Sequence, residues 1–360
     1  MTAANHNHYI LAFDQASEAD FPKMGGKCAS LARMIAAGVA VPAGFAVLTD
    51  AYAEFLDISG VKSALGAIID SIEIGNVADE ALKAAAIREK ICSTPLPSYI
   101  EAAIRSAYLD MSPSNDLPVA VRSSATAEDL PDASFAGQQD TYLWVTSADD
   151  VVRQVRACWA SLFNARAISY RAKNNLGQLE VLMSVAVQKM VNAKAAGVAM
   201  TLDPINGDRT KIVIDAAFGL GEPVVSGEIT PDNFVVEKVM MQVTKRRIAE
   251  KDHELVADRA LRRTVDRVIE PERRTQPSLT DGEVIEVARL AKSLERKMGC
   301  PQDVEWAIDA DLPDGENLVA LQSRPETVWS QKKAQAPAKT YAMGIEGVLG
   351  TLMSPLSAKN

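Results

Sequence analysis

Apolar residues at helical spacing recur through the first half of the chain. In the segment 27–37, Leu31, Met34 and Ile35 share one face, and Gly38 follows as a plausible end of the helix. The same spacing predicts a helix over 151–173, where Val152, Val155, Trp159 and Leu162 lie on one side, and a mostly helical stretch over 51–107. A capping box at Thr280-Asp-Gly-Glu283 predicts a further helix that ends at Gly299.

Short apolar runs bounded by polar residues predict strands. One is expected at 44–48 and another at 181–191, and the second is the expected boundary between the two halves of the chain. From Gly197 onward the sequence becomes strand-rich, and 303–309 is expected to pair with 318–324 in a hairpin. The charge-dense segment 245–276 is interpreted as a solvated excursion of strand and helix.

Length and composition exclude several classes of protein. A chain of 360 residues predicts two domains or subdomains. The net charge of −9 argues against nucleic acid as the main partner, and no apolar run is long enough to cross a membrane. No signal peptide is evident at the N-terminus. Four scattered cysteines predict neither a disulfide framework nor a zinc site and favour a reducing cytoplasm.

The stretch from Arg122 to Tyr142 carries the most distinctive chemistry. A short apolar strand delivers Arg122 and a run of hydroxyl residues, and a polar loop containing Gly137 follows. A guanidinium offers a fixed fork of donors for phosphate oxygens, and glycine lets backbone amides approach an anion closely. The alternative, weighed equally on spacing alone, is an ordinary hairpin with a polar turn.

Two glycine-containing segments are further candidates for phosphate contacts. Gly25-Gly26 places Lys27 at the start of a helix, where unsatisfied amides favour anions, although the segment is not a Walker A motif. Alternatively, Lys27 is a surface lysine. The segment 219–222 resembles a dinucleotide fingerprint but lacks its third glycine, so a Rossmann fold is rejected.

The predicted last hairpin is a candidate metal site. Strand alternation puts Glu305 and Asp303 on one face, and Gln322 and Arg324 share a face of the partner strand. A carboxylate and an amide carbonyl that face each other suit Mg²⁺, which also takes phosphate oxygens, and Arg324 adds positive charge. The alternative is a surface hairpin with a salt bridge. Asp303 is the weaker candidate and could orient the others or face solvent.

Several separate blocks, in order, resemble one family. They are Gly25-Gly-Lys-Cys-Ala-Ser-Leu31, Val41-Pro-Ala-Gly-Phe45, the Arg122–Tyr142 stretch, Gly197-Val-Ala-Met-Thr-Leu-Asp-Pro204, Phe218-Gly-Leu-Gly-Glu-Pro-Val-Val-Ser-Gly227, Asp303-Val-Glu-Trp306 and Leu321-Gln-Ser-Arg-Pro325. Together they are similar to the ATP-binding domain of the phosphoenolpyruvate synthase, pyruvate phosphate dikinase and rifampicin phosphotransferase superfamily, over about residues 25–329.

This resemblance implies a fold and a set of roles. The expected fold is α+β, an ATP-grasp with ATP in the cleft between subdomains 1–190 and 191–330, followed by a linker and tail at 331–360. Arg122 and Arg324 would be catalytic, and Glu305 with Gln322 would hold Mg²⁺. ATP would be bound by Lys27, Arg122, Gly137, Gln138, Thr141, Gln188, Met190, Glu222 and Arg324. Glu222 could instead only close its loop, and Gln188 and Met190 could be the end of a core strand.

The chain has three histidines, His6, His8 and His253, and none has the surroundings of the family's catalytic histidine. The resemblance therefore implies that a partner subunit or domain carries that histidine and the acceptor site. The reaction would pass a pyrophosphoryl group from ATP to the histidine and yield AMP, Pi and a phosphorylated acceptor. The arrangement resembles the separate ATP-binding subunit of phenylphosphate synthase, with phenol as acceptor. A part of a phosphoenolpyruvate synthase or rifampicin-type phosphotransferase, an ATP-grasp ligase that releases ADP and a non-catalytic nucleotide-binding subunit are the alternatives.

Overall fold

The computed structural model describes residues 8–58, 60–126, 129–130, 133–134, 140–174 and 176–329. The first half of the chain forms β1 (Ile10–Ala12), α1 (Phe21–Ala36), β2 (Gly44–Val47), α2 (Thr49–Ile58), α3 (Val61–Ile69), α4 (Val77–Ser93), α5 (Ser98–Met111), β3 (Val119–Ala125), β4 (Asp129–Leu130), β5 (Ala133–Ser134), β6 (Thr141–Val145), α6 (Ala148–Ser161), α7 (Ala165–Lys173) and β7 (Met183–Lys189). A 3₁₀ turn at Phe13–Gln15 follows β1.

The second half contains more strand than helix. Its elements are β8 (Ala193–Met200), β9 (Lys211–Phe218), α8 (Glu222–Ser226), β10 (Asp232–Glu237), β11 (Gln242–Arg247), β12 (His253–Asp258), β13 (Arg263–Val268), α9 (Pro271–Arg274), α10 (Asp281–Met298), β14 (Gln302–Asp309) and β15 (Leu318–Pro325). The predicted hairpin at the end of this half is confirmed, since β14 and β15 pair antiparallel.

The strands form two main antiparallel sheets. The first has the order β1-β2-β7-β3-β6, and the second has the order β11-β10-β9-β8-β14-β15. β12 pairs with β13 in a separate hairpin, and β4 pairs with β5. The fold is therefore of mixed helix and sheet. The described residues up to Pro325 belong to one compact unit, and residues 326–329 belong to a second, in which the backbone N–H of Trp329 donates to the Glu326 side chain.

Each main sheet has its own hydrophobic core. In the first, the ring of Trp159 from α6 stacks on Phe55 from α2 with 5.3 Å between centroids. In the second, Val284 from α10 and Trp306 from β14 are fully buried. The buried face of α1 joins this second core through Met24, Cys28, Leu31 and Met34, although α1 lies near the start of the chain.

Most helix ends follow from local sequence. The capping box is confirmed, because the backbone N–H of Glu283 donates to Thr280 Oγ1 and the Glu283 side chain accepts in return. Gly299 ends that helix with a left-handed φ of 75°. The single helix predicted over 151–173 is wrong. It is two helices, because Asn164 caps α7 by accepting a hydrogen bond from the Ala167 N–H at 2.7 Å.

The helix predicted from Lys27 corresponds to the part of α1 that follows Gly25, where a non-helical φ and ψ kink the element. The residues from Phe21 to Gly25 form a short helical segment before this kink, which the sequence did not predict. Among the residues that the structure describes, no helix is both long enough and apolar enough to cross a membrane.

Candidate functional site

A cavity of about 700 Å³ lies between the two main sheets. Residues from both sheets and from the loop before α8 line it. They include Ala120, Arg122, Asp140, Thr141, Leu143, Gln188, Met190, Ala193, Leu220, Glu222, Glu305, Trp306 and Leu321. Six of the residues predicted to bind ATP or metal therefore meet around one space: Arg122, Thr141, Gln188, Met190, Glu222 and Glu305.

Strand register explains why the residues from the first sheet converge. Thr141 on β6 lies directly opposite Arg122 on β3. Gln188 on β7 lies opposite Ala120, which is two residues before Arg122 and therefore on the same face of β3. The sequence separates these side chains by up to 66 positions, but antiparallel pairing brings them to one surface facing the cavity.

Arg122 reaches across the cleft to the second sheet. Its Nη2 donates to Gln322 Oε1 at 2.8 Å and to Glu305 Oε2 at 3.2 Å. Its Nη1 donates to the backbone oxygen of Leu321 at 3.3 Å. The guanidinium is thus surrounded by the two residues that the sequence predicted as metal ligands, an arrangement that the sequence did not predict.

The start of α1 is joined to β3 beside Arg122. Lys27 Nζ donates to the backbone oxygen of Ser123 at 2.8 Å, and Ser124 Oγ donates to the Met24 oxygen at 2.9 Å. A Cβ on Gly25 would lie 2.1 Å from the Ser124 oxygen, so only glycine permits this approach. Because φ at Gly25 is +67°, the turn also requires the conformational freedom of glycine.

The hairpin of β14 and β15 places the predicted metal pair face to face. Glu305 and Gln322 are direct cross-strand partners, and Asp303 lies opposite Arg324. Val304 and Trp306 are buried in the core, as the alternation predicts. A bulge follows Glu305, which leaves the next residue, Trp306, to line the cavity as well.

Two smaller cavities continue from this hairpin. One of about 270 Å³ is bordered by Asp303, Glu305, Gln322 and Arg324. The other, of about 460 Å³, has Lys27 on its border together with Gln322 and Arg324. The three cavities share residues, since Glu305 borders the first two and Gln322 and Arg324 border the last two. They therefore lie side by side, and we call this series of cavities, from the more apolar large one to the charged smaller ones, the path.

The apolar end of this path is suited to a flat ring. Leu143, Leu220, Trp306 and Leu321 line the large cavity there. Gln188 Nε2 donates to the Pro42 oxygen at 3.3 Å, which orients the Gln188 amide at the cavity wall. Sequence reasoning missed these apolar residues and Asp140, because single apolar positions carry no signal until the strands are aligned. All of them except Leu143 do, however, lie within blocks that carry the resemblance: Asp140, Leu220, Trp306 and Leu321.

Glu305 and Gln322 fit a divalent ion only as part of a shared coordination set. The described residues contain no group of three or more His, Cys, Asp and Glu side chains that could hold a metal. Gln322 is 2% exposed, and its Nε2 has no hydrogen-bond partner among them. One carboxylate and one buried amide suit an ion that takes its remaining ligands from phosphate oxygens and water.

Two predicted residues cannot be located, because Gly137 and Gln138 lie outside the described residues. Of the histidines, His253 pairs with Asp252 at 3.3 Å on β12 and His8 contacts the ring of Tyr9, whereas His6 lies outside the described residues. Neither His8 nor His253 borders the three cavities.

Glu222 is the first residue of α8 and borders the large cavity. Although Glu222 as a whole is exposed, partial burial of its carboxyl raises the pKa of that group above the ordinary value of 4.5, and the nearby charge of Glu228 raises it further. An acid whose pKa is higher in the folded state binds its proton more tightly there. Stability is therefore lost as the pH rises from 4.5 through the raised pKa of the folded protein.

Glu222→Gln is expected to raise the melting temperature relative to wild type at pH 8 but not at pH 4, because it removes a carboxylate that is costly only when ionised. Thermal unfolding at both pH values measures this difference. Glu228→Gln is the matched control and should give a smaller gain, since it removes only the smaller cause of the shift. An equal effect of Glu222→Gln at both pH values would contradict the assignment.

Comparison with known proteins gives a consistent result over most of the chain. The family profile described as pyruvate phosphate dikinase, AMP/ATP-binding domain, matches residues 21–344. The phosphoenolpyruvate synthase of Aeropyrum pernix is 42% identical over 92% of this chain and 44% of its own length. The phosphoenolpyruvate synthase of Pseudomonas aeruginosa is 40% identical over 91% of this chain and 43% of its own length.

The chain spans less than half the length of these curated relatives. Among solved structures, D-cycloserine synthetase DcsG aligns with 85% of this chain and 64% of its own, at 11% identity and a TM-score of 0.28. That score is too low to bear on the fold.

Proposed function

Because this chain belongs to the pyruvate phosphate dikinase AMP/ATP-binding domain family, we propose that it holds ATP between its two main sheets and donates a phosphoryl-containing group from it. The proposal rests chiefly on the residues from separate parts of the chain that meet along one path: Lys27, Arg122, Gln188, Glu305, Gln322 and Arg324. In this proposal the fold is an ATP-grasp, with subdomains that divide at residue 190 and a linker and tail from residue 331.

In the proposed complex, the adenine lies at the apolar end of the path beside Gln188 and Met190, near Trp306. The phosphates extend toward the charged end, where Arg122, Lys27 and Arg324 neutralise them. Thr141, Glu222 and the loop containing Gly137 and Gln138 complete the ATP site in this proposal.

Glu305 and Gln322 would hold Mg²⁺ against the phosphate oxygens. A bound Mg²⁺ would neutralise negative charge that develops during transfer. The protein's own contribution is to fix donors and positive charge in a water-poor cleft, which preferentially stabilises the transition state over the bound ATP.

The proposed reaction is of the dikinase type. A pyrophosphoryl group passes from ATP to a histidine outside the described site as its bond to the α phosphate breaks and AMP leaves. Water then releases Pi from the pyrophosphorylated histidine, and the phosphoryl group that remains passes to the acceptor. The greater length of the relatives supports a separate domain or subunit that carries this histidine and the acceptor site. The cytoplasmic location predicted from the cysteines is part of the same proposal.

The acceptor is proposed to be pyruvate in the first instance, because the similar curated proteins bear the name phosphoenolpyruvate synthase. Phenol, the acceptor suggested by the resemblance to phenylphosphate synthase, remains a prediction. The side chains that would choose between them belong to the proposed acceptor part.

The proposal is tested with ATP labelled at the α or γ phosphate. The labelled ATP is incubated with the chain, Mg²⁺, an extract of the organism from which the chain comes, and either pyruvate or phenol. Labelled AMP and Pi formed only when both extract and acceptor are present would support a dikinase-type enzyme and identify the acceptor. Glu305→Ala with the same extract is the matched control and should abolish the AMP that depends on the added chain. ADP formed by the chain alone would contradict the proposal and favour a ligase or simple kinase.

A further inference from the structure

The guanidinium of Arg122 contacts Glu305 Oε2 and Gln322 Oε1, and a divalent ion held by this pair would use the same two oxygens. We propose that Arg122 is a built-in competitor of the ion at the Glu305–Gln322 pair. When ATP binds, its phosphates accept hydrogen bonds from the guanidinium, which then leaves the Glu305–Gln322 pair. A divalent ion therefore binds tightly to this pair only when nucleotide is also bound. This inference rests on the proposed function, since it concerns order of binding at the same site.

The geometry of the guanidinium carries the argument. A single nitrogen, Arg122 Nη2, contacts both Gln322 Oε1 and Glu305 Oε2. These two oxygens come from direct cross-strand partners, so they converge on one point between the strands and the cleft. Mg²⁺ binds oxygen at about 2.0–2.1 Å. An ion close enough to touch both oxygens would stand in the space that Nη2 fills.

Charge makes the two occupants mutually exclusive. The Arg122 side chain is 16% exposed and that of Glu305 is 23% exposed, so water screens this cluster only in part. Two cations brought to the same carboxylate in such surroundings repel each other strongly. Glu305 is the single carboxylate in direct contact with Arg122 within the described residues, so one negative charge would have to balance two cations.

The guanidinium is also held in a way that permits release. Its other contact with the second sheet is a long hydrogen bond of 3.3 Å to the Leu321 oxygen. Triphosphate oxygens offer the bidentate geometry that a guanidinium prefers. Once Arg122 turns toward phosphate, both oxygens of the Glu305–Gln322 pair become available to the ion.

The competing explanation is that Arg122 is only a strut between the sheets. A strut would stabilise the fold but would have no influence on ion affinity beyond that of any nearby positive charge. The two explanations differ in what happens to metal binding when nucleotide is left out, and this can be measured without turnover.

The experiment is a titration of Mn²⁺ alone into the full chain, with free Mn²⁺ measured by electron paramagnetic resonance. Arg122→Gln is expected to bind one Mn²⁺ at least about tenfold more tightly than wild type, because it frees both oxygens and removes a competing charge. The double variant Arg122→Gln with Glu305→Gln should lose that gain. Arg246→Gln is the matched control, because Arg246 forms an exposed pair with Asp281, and it should bind Mn²⁺ as wild type does.

Arg122→Lys provides a second test if the glutamine variant folds poorly, which circular dichroism and thermal unfolding would reveal. A lysine keeps the charge but cannot contact three acceptors through a fork, so its Mn²⁺ affinity is expected between those of wild type and Arg122→Gln. Equal Mn²⁺ affinity in wild type and a folded Arg122 variant would overturn the competition. So would a gain that survives Glu305→Gln.

Isothermal titration calorimetry with an ATP analogue distinguishes a failure of the proposed function from a failure of the proposed competition between Arg122 and the ion. If wild type binds no adenylyl imidodiphosphate in the presence of Mg²⁺, the proposed function fails. The Mn²⁺ titration would still decide whether Arg122 and an ion compete at Glu305 and Gln322.

Discussion

Arg324→Ala is expected to lower the rate of ATP-dependent phosphoryl transfer by about 10- to 150-fold while the fold remains intact. Arg324 stands at the outer end of β15 and borders both smaller cavities, where the proposed phosphates lie. Losing one charged hydrogen-bonding partner costs about 1.5–3 kcal/mol, and that free energy corresponds to this loss in rate. The measurement is the rate of AMP formation by the variant divided by that of wild type. Both rates are taken at saturating ATP with the same extract, which supplies the part that carries the histidine.

Arg122→Ala is expected to lower the rate within the same range, because the proposal gives Arg122 a phosphate contact as well. Arg246→Ala is the matched control for both variants, since it removes an arginine from an exposed pair on the far strand of the second sheet. Near-normal rates in both Arg324→Ala and Arg122→Ala, with folding verified by circular dichroism, would refute the proposal that these two arginines bind the ATP phosphates.

Gly25→Ala is expected to lower the free energy of unfolding by about 2–6 kcal/mol. With a φ of 67° and a ψ of 172°, the backbone at Gly25 lies in a region that only glycine adopts readily, which costs a residue with a Cβ about 1–3 kcal/mol. Forcing an atom into a packed contact costs about 1–3 kcal/mol more. The contact is with the backbone oxygen of Ser124 at 2.1 Å, which cannot rotate away as a side chain could. Urea unfolding measures the loss.

Gly38→Ala separates the two contributions to this loss. Gly38 has a φ of +70°, close to that of Gly25, but no atom lies within 4 Å of the position its Cβ would take. This variant should therefore lose only about 1–2 kcal/mol, the cost of a positive φ in a residue that carries a Cβ. If the two variants lose the same free energy of unfolding, the close contact between α1 and β3 at Gly25 does not contribute to the loss.

The elements with complete local signals were predicted well. The helix from Thr280 to Gly299 has a capping box at its start, an apolar stripe and a glycine stop, and the structure retains all three. The hairpin of β14 and β15 was predicted because polar and apolar residues alternate along it, and its register pairs Glu305 with Gln322. In both cases the signal is local, so the sequence contains it in full.

Errors arose where contacts distant in sequence decide the structure. A short helical segment precedes the kink at Gly25, and Ser124, about 100 positions away, holds the two sides of the kink together. Its hydroxyl donates to the Met24 oxygen and accepts from the Cys28 N–H. The break between α6 and α7 follows from an asparagine cap that is easily overlooked within a long apolar stripe. Arg122 was expected to face phosphate, and its contacts with the second sheet required knowledge of how two sheets meet.

The position of α1 has a consequence for how the chain assembles during synthesis. Ser30 on α1 donates to the backbone oxygen of Ser323, and the Ala320 N–H donates to the Ala40 oxygen. These partners are separated by 293 and 280 positions, so they meet only when nearly all of residues 1–325 have left the ribosome. Contacts of such high order form late and slowly. The apolar face of α1 packs on β3 and β7 as well as β15, so it is completely covered only after β15, nearly 300 positions later, has been made. Until then the nascent chain exposes part of that face and is open to aggregation.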